Sequence, residues 1–153
     1  MESEKGFIII TNKLWCEFCS TGNLNEVNVW IKRNSFKAVP INSPIFFLEK
    51  GTRLVKGFGT LKCFEVNTIK NTWEKYKLSN GASSYTSFLN ILNLPNNDII
   101  TNEKTIGNLI VKNVIWNSNM ITIDNIGVPF HKAIVSGKTI NKEEAAKIIN
   151  TLK

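Results

Sequence analysis

The segment Leu54-Val-Lys-Gly-Phe-Gly-Thr-Leu-Lys-Cys-Phe-Glu-Val66 has the composition of one long strand interrupted by two glycines, Gly57 and Gly59. Glycine inside a strand is typical of a bulge, of a bend at a barrel corner, or of a close approach by a ligand. The apolar run Ile45-Phe-Phe-Leu48 precedes this segment, and Lys50-Gly-Thr52 between them has the composition of a hairpin turn. The pattern predicts a bent antiparallel pair of strands.

Short elements are predicted on the N-terminal side of this pair. Phe7-Ile-Ile-Ile10 reads as a buried strand, and Asn12 as the N-cap of a helix from Lys13 to Ser20. From Val27 to Ile31 apolar residues alternate with others, which is the period of a half-exposed strand. Strand, helix and strand therefore precede the central pair.

The C-terminal side mixes helices with further strands. The expected elements are a helix from Ile69 to Tyr76, a helix from Tyr85 to Leu92, a polar loop from Pro95 to Lys104, a hairpin of Ile106–Trp116 with Met120–Ile123, a short strand Ala133–Val135, and a helix capped by Asn141 with Glu144. Five to seven short strands with small helices between them, and no βαβ rhythm, predict a small α+β fold. We expect a mixed β-barrel with peripheral helices.

Length and composition set the class of protein. A chain of 153 residues fits one domain over residues 1–153, and 42% hydrophobic with 20% charged residues excludes a membrane span, a collagen-like chain and a disordered one. The net charge is +7, and ten basic against three acidic residues lie between Lys32 and Lys77. Such an excess of basic residues favours a polyanionic partner. A protein whose surface charge serves only solubility would have the same excess.

The cysteines indicate a reducing environment. Their number is odd, and no secretory signal precedes them, so we expect an intracellular, cytoplasmic protein without a disulfide framework. Cys16 and Cys19 have the spacing of zinc ligands, and Cys63 with His131 would complete four. Since Cys19 lies at helical spacing among apolar residues and no second ligand pair exists, buried thiols are the favoured interpretation.

Known catalytic patterns are missing from the sequence. His131 is the only histidine, so a catalytic or metal site that needs two histidines cannot be built. The sequence also contains neither a phosphate-binding loop nor a dinucleotide fingerprint. We therefore expect a binding module rather than an enzyme, with no cofactor and no membrane partner. A carboxylate site built from Glu26 and Asp124 remains an open alternative.

Several motifs resemble those of PUA-like domains. Ile9-Ile-Thr11-Asn12 with Trp15 looks like the opening of EVE-type domains, and Asn28-Val-Trp30 looks like the "VW" signature that EVE and YTH domains share. Gly57-Phe-Gly-Thr60 is similar to their glycine-containing strand, and Trp73 follows it as a tryptophan does in those families. The resemblance implies an EVE/YTH-like barrel.

Nearly the whole chain resembles the N-terminal reader domain of HNH-type modification-dependent restriction endonucleases. The matching runs are Glu26-Val-Asn-Val-Trp30, Phe36 with Val39, Gly57 with Gly59, Trp73 with Tyr76 and Asn80-Gly-Ala-Ser83, Ile106-Gly107, and Ile134-Val-Ser-Gly-Lys138. The chain departs from the pattern at Asn42-Ser43 and Ile140, and it contains no HNH domain. The resemblance therefore implies a recognition module that stands alone, is cut from a longer protein, or is paired with a nuclease or motor partner in trans.

This resemblance implies that double-stranded DNA is bound and a modified base, of the 5-methylcytosine or N6-methyladenine type, is flipped into an aromatic pocket. In this hypothesis Trp30 and Trp73 sandwich the base and Asn12 binds its edge, and Asn28, Trp15 and Tyr76 form the rim of the pocket. The residues expected to bind phosphates are Lys32, Arg33, Lys37 and Lys56.

Other interpretations of these residues stay open. Trp15 and Trp73 lie at helical spacing with apolar neighbours, as core residues do, and Asn12 has the ordinary position of a helix cap. The Asn80-Gly81 match has the composition of a turn. A reader of modified RNA has the same sequence features, because the discriminating contact is to a 2′-hydroxyl.

Overall fold

The computed structural model describes residues 5–153, which contain one six-stranded sheet. Its strands are β1 (Gly6–Thr11), β2 (Val27–Ile31), β3 (Pro44–Glu49), β4 (Val55–Thr68), β5 (Thr105–Trp116) and β6 (Gly137–Ile140). The spatial order is β2-β5-β4-β3-β1-β6, in which β1 and β3 are parallel and the other neighbours antiparallel. Six strands in a mixed sheet agree with the predicted five to seven.

Helices connect and flank these strands. They are α1 (Lys13–Thr21), α2 (Ile69–Tyr76), a 3-10 turn (Lys77–Asn80), α3 (Tyr85–Leu92), α4 (Asp98–Glu103), α5 (Ile123–Ile126) and α6 (Lys142–Leu152). The α+β prediction is confirmed. No helix in residues 5–153 has both the length and the apolar character to cross a membrane.

The sheet curls into an open barrel around its main core. Phe7 and Ile9 of β1 belong to the same buried cluster as Val27 and Val29 of β2, although β2 lies at one end of the strand order and β1 near the other. The two ends of the sheet therefore approach each other and leave a seam between β2 and β1.

Gly57 and Gly59 make the bend in β4 possible. A Cβ on Gly57 would lie 2.6 Å from the carbonyl oxygen of Ile115, and one on Gly59 would lie 2.7 Å from Cγ1 of Val111. The β4–β5 ladder shifts register beside Gly59, as at a bulge. Of the three alternatives that the sequence left open, the structure has a bulge, and the atoms that approach the two glycines closely belong to β5 rather than to a ligand.

The predicted hairpin of β5 with Met120–Ile123 is wrong. Thr122 pairs with Leu54, at the start of β4, in an isolated antiparallel bridge. The backbone N–H of Asn117 donates to the carbonyl oxygen of Lys56 at 2.8 Å, which directs the chain toward β4 as soon as β5 ends. The neighbours of β5 are β2 and β4 instead.

Two further boundaries differ from the prediction. Helix α4 (Asp98–Glu103) lies inside the expected loop Pro95–Lys104, because the side chain of Asn97 accepts hydrogen bonds at its N-terminus and starts a helical turn. The expected strand Ala133–Val135 is irregular, and strand pairing begins two residues later with β6 (Gly137–Ile140). The pairing of β6 with β1 sets that start.

Helix α6 begins with the predicted capping box and packs against the outer face of the sheet. Asn141 Oδ1 accepts from the backbone N–H of Glu144 at 2.8 Å, and Glu144 Oε1 accepts from that of Asn141 at 3.1 Å. Ala145 and Ile148 are buried in a second apolar cluster on this face. The barrel seam on the opposite side of the sheet is left open for a site.

Candidate nucleic-acid interface

A groove of about 270 Å³ follows the seam between β2 and β1. It is lined by Phe7, Ile9, Ile10, Trp30, Ile31, Lys32, Arg33, Phe36, Val135 and Ser136. A recess of about 30 Å³ beside it shares Ile10 and Trp30 and reaches Asn12 and Trp15. Because a water takes ~30 Å³ of liquid volume, the recess holds no base, whereas the groove accepts one flat group.

Trp30 forms one wall of this groove and is held in place from behind. Its indole N–H donates to the carbonyl oxygen of Asn80 at 3.3 Å. Its ring packs edge-on against Phe88, with centroids 6.3 Å apart. The side chain is half-buried, so part of the ring faces the groove. Trp30 is therefore a fixed aromatic surface rather than a mobile side chain.

Asn28 lies beneath the site and not in it. It is fully buried, and its Nδ2 donates to Oδ1 of Asn80 at 2.9 Å and to Oδ1 of Asn108 at 2.7 Å. Asn80 in turn donates to the carbonyl oxygens of Thr72 and Lys77. The predicted half-exposed face of β2 is wrong at Asn28, because the turn after α2 covers that face.

Trp73 and Trp30 belong to the same aromatic cluster, in which the ring of Phe88 contacts both of them. Trp73 stacks on Phe88 with centroids 5.6 Å apart and an interplanar angle of 29°, and Tyr85 lies 6.2 Å from Trp73. Trp73 does not line the groove. Tyr76, at the end of α2, has Lys75 Nζ 5.4 Å above its ring and does not line the groove either.

Trp15 is a core residue, as the alternative interpretation held. Its side chain is 2% exposed, its indole N–H donates to the carbonyl oxygen of Asn28 at 3.0 Å, and its ring contacts Phe47 and Trp116. The space that Trp15 lines is the recess of about 30 Å³, which is too small for a base. The close packing of Gly81 against this indole fixes the turn that supports Trp30.

Asn12 caps α1 and also reaches the recess beside the groove. Its Oδ1 accepts from the backbone N–H of Leu14 at 2.8 Å and from that of Trp15 at 3.4 Å. Its Nδ2 has no hydrogen-bond partner among residues 5–153. The capping role therefore leaves one donor group available on this side of the seam.

The four predicted phosphate ligands lie in different places. Lys32 and Arg33 line the groove and are exposed. Lys37 is exposed but does not line it, and Lys56 is half-buried and does not line it either. Two of the four cations are thus positioned beside Trp30.

Sequence reasoning missed three cations near the seam. Lys104 lines a cavity of about 420 Å³ that shares Lys32 and Arg33 with the groove. Lys50 and Lys132 line a cavity of about 330 Å³ that adjoins the groove on the other side. Lys104 and Lys132 lie outside the basic stretch of the sequence, so only the fold brings them to this surface.

The carboxylates of the alternative enzyme site are in separate ion pairs. Glu26 pairs with Lys62 at 3.1 Å. Asp124 accepts two hydrogen bonds from Arg53, at 2.8 and 2.9 Å, and these bonds lower the pKa of Asp124. Each carboxylate is held by a different cation.

The thiols have the character of core groups. Burial raises the pKa of Cys16 to about 12 and raises that of Cys19 as well. Cys63 is half-buried, and His131 is exposed, with its Nδ1 accepting from the backbone N–H of Ala133. In the described part of the chain, no group of three or more His, Cys, Asp or Glu residues is placed to hold a metal ion.

Solved structures share this architecture. The crystal structure of ASCH from Zymomonas mobilis matches with a TM-score of 0.69 at 13% identity, over 97% of this chain and 96% of that chain. A tyrosine-to-phenylalanine variant of the same protein gives 0.69 at 13% identity, over 97% and 99% of the two chains. A serine-to-alanine variant gives 0.67 at 15% identity, over the whole of both chains.

The fold is PUA-like. At these identities the likeness shows the fold alone, and it confirms the PUA-like part of the sequence resemblance. No protein-family model matches the sequence, and no curated protein does. The narrower resemblance to EVE or YTH readers of restriction systems stays a prediction.

Proposed function

We propose that this protein is a DNA-binding module that reads a modified base by holding it, out of the stack, in the groove beside Trp30. In this proposal it is the recognition part of a modification-dependent restriction system and not an enzyme. The observation that carries the proposal is the combination in one groove of an aromatic wall, Trp30, with two cations, Lys32 and Arg33, and no acidic residue in the lining.

The size of the groove supports a single extruded base. At about 270 Å³ it lies near the lower end of the ~300–1,000 Å³ typical of ligand pockets, so it accepts a base but no duplex. Flipping costs a few kcal/mol, which the pocket must offset. Stacking on an aromatic ring contributes ~1–3 kcal/mol, and a buried methyl group adds up to ~0.8 kcal/mol.

Trp30 is suited to this role because it is already ordered. The hydrogen bond to Asn80 and the contact with Phe88 fix the ring before any ligand arrives. A side chain ordered in advance loses little entropy on binding, which favours affinity. Trp73, which stacks on Phe88, supports the wall from behind. The proposal thus departs from the predicted sandwich of two tryptophans.

Asn12 and the two cations complete the proposed contacts. The free Nδ2 of Asn12, at the recess beside Trp30, is a donor for the polar edge of the base. Lys32 and Arg33 would hold the neighbouring phosphates, whose contribution falls as salt rises. The base contact would then specify the ligand, and the phosphate contacts would position it.

The ion pairs of Glu26 and Asp124 favour binding over catalysis. A catalytic carboxylate must be free to exchange a proton or hold a metal ion. Glu26 is neutralised by Lys62 and Asp124 by Arg53, and neither carboxylate lines the groove. Incubation of the purified chain with labelled DNA and RNA is expected to leave both uncut.

Binding measured by fluorescence anisotropy at two salt concentrations tests the proposal. The probes are matched duplexes that are unmodified, carry 5-methylcytosine or carry N6-methyladenine, and RNA of the same sequences. We expect tighter binding to one modified DNA at both salt concentrations. Equal binding to all probes that collapses with salt would reduce the site to a basic surface, and preference for a modified RNA would make the protein an RNA reader.

A further inference from the structure

The groove beside Trp30 shares lining residues with two cationic cavities. Lys32 and Arg33 also line the cavity of about 420 Å³ that reaches Lys104. Ile10 and Val135 also line the cavity of about 330 Å³. Because each cavity shares two residues with the groove, we treat the three spaces as one surface, which we call the seam channel.

The cations of the seam channel have few acidic neighbours. Glu49 is the one carboxylate in its three linings; it is 3% exposed, and its Oε1 accepts from the Thr52 hydroxyl at 2.8 Å. Arg53 is held by Asp124 and by the carbonyl oxygen of Phe130. The ion pairs within residues 5–153 involve Arg53, Lys62 and Lys75, so the other cations of the channel are available to a ligand.

We infer that a single strand of nucleic acid lies along the seam channel, and that Lys50 and Lys132 bind the backbone on the side of Trp30 opposite to Lys32 and Arg33. This inference rests on the proposed function. A nucleotide whose base is extruded keeps a phosphate on each side, so cations on one side alone would leave half of the backbone charge unmatched. Lys50 and Lys132 are exposed and line the cavity that shares Ile10 and Val135 with the groove.

Val135 fits the same occupant. It lines both the groove and the cavity of Lys50 and Lys132, and its side chain is 86% exposed. An apolar side chain at the junction of two cationic spaces contacts the sugar or base faces of a strand, which are the apolar parts of its surface. Charge and apolar surface thus alternate along the channel as they do along a single strand.

The test compares two double charge reversals. Lys50→Glu with Lys132→Glu changes the second cavity, and Lys142→Glu with Lys147→Glu changes two exposed lysines of α6 by the same charge. The probes are two fluorescein-labelled DNA pentanucleotides, one with 5-methylcytosine and one with N6-methyladenine at its centre. We expect the first variant to bind on the order of tenfold more weakly and its salt slope to fall by about 1.4, which is the loss of two single-strand phosphate contacts.

The outcomes separate this inference from the proposed function. If the wild-type protein binds and Trp30→Ala weakens binding, but both charge reversals behave alike, the second cavity is not part of the binding path and the proposed function stands. If the wild-type protein binds neither the pentanucleotides nor the modified duplexes at either salt concentration, both are wrong. If it binds a modified duplex but neither pentanucleotide, the single-strand path is wrong and the proposed function stands. Circular dichroism of the variants checks that each is folded.

Discussion

Asn80 has no exposed surface, and its side chain and backbone together join three parts of the candidate site. Its side-chain amide accepts from Asn28 Nδ2 and donates to the backbone carbonyl oxygens of Thr72 and Lys77. Its backbone carbonyl oxygen accepts from the indole N–H of Trp30. Buried amides of this kind specify one arrangement because any other leaves polar groups unpaired. The orientation of Trp30 thus depends on a buried residue that does not line the groove.

The variant Asn80→Ala measures the strength of this network. Truncation removes three side-chain hydrogen bonds and leaves a buried Asn28 donor with one partner fewer, so we expect the free energy of unfolding to fall by about 1–3 kcal/mol or more. Urea unfolding gives the value. Asn90→Ala, at an exposed position of α3, is the control and should change stability little. Equal values for the two variants would contradict the role given to Asn80.

The buried thiols of α1 predict a pH dependence. Burial raises the pKa of Cys16 to about 12, above the ordinary thiol value of 9.0 that applies in the unfolded chain. The stability linked to this group is therefore fully present below pH 9 and is lost as the pH rises toward 12, by up to about 1.4 kcal/mol per pH unit. The free energy of unfolding, measured with urea in reductant between pH 8 and 11, should fall more steeply with pH for the wild type than for Cys16→Ala. Parallel curves would show that this thiol ionises equally in both states.

Residues with local roles could be predicted, and residues with long-range roles could not. Asn12 caps α1 through atoms two and three positions away, which the sequence shows directly. The difference between Trp15 in the core and Trp30 in the groove depends on partners such as Asn28 and Asn80, which lie 13 and 50 positions away. Phe88, the neighbour of both Trp30 and Trp73, had no sequence signal beyond its place on an apolar helix face.

At the scale of elements, the turn that ends at Gly81 joins α2 to the core. Gly81 has a φ of +82°, and a Cβ there would lie 2.1 Å from Cδ1 of Trp15. Gly51, in the β3–β4 turn, has a φ of +90° and open space around it. The two positions share a left-handed backbone and differ in packing, so they form a matched pair.

Alanine at these two positions should give different losses of stability. Gly51→Ala is expected to cost about 1–2 kcal/mol, the strain of a left-handed residue with a Cβ. Gly81→Ala adds the overlap with Trp15, for which overpacking in cores suggests about 1–3 kcal/mol more. Thermal or urea unfolding of the two variants measures the difference. An equal loss at both positions would mean that Trp15 moves aside at no cost.

The order of strands and helices along the chain could be predicted from the sequence, whereas the strands that pair with one another could be predicted less well. Strand β4, with its two glycines, and helix α6, with its capping box, carry their own signals. The segment after β5 does not, because Thr122 pairs with Leu54, far away in sequence, instead of folding back on its neighbour. Alternating apolar residues predict a strand without indicating its partner.

At the scale of the whole molecule, the net charge of +7 does not show which cations lie at the candidate interface. Within the basic stretch, Lys62 and Lys75 are in ion pairs and Arg53 is held by Asp124, whereas Lys104 and Lys132 join the site from outside it. A count of charges along the chain therefore indicated a polyanionic partner without locating it.

The double variant Lys32→Ala with Arg33→Ala tests where the electrostatic contribution arises. It should weaken binding to modified and unmodified duplexes alike and reduce the salt slope by about 1.8, since each lost contact with a duplex phosphate changes it by ~0.9. Lys142→Ala with Lys147→Ala removes the same charge from α6 and should leave the slope unchanged. Anisotropy titrations over a range of salt concentrations give both slopes. Similar slopes for the two variants would mean that net charge alone attracts the nucleic acid.

The ratio of the affinities for modified and unmodified duplex measures whether Trp30 holds an extruded modified base. We predict that Trp30→Ala removes most of this discrimination, with a loss of about 1–3 kcal/mol on the modified duplex, that Trp30→Phe keeps part of it, and that unmodified duplex is bound nearly as before. An unchanged ratio in folded Trp30→Ala, or an equal loss on both duplexes, would contradict the account.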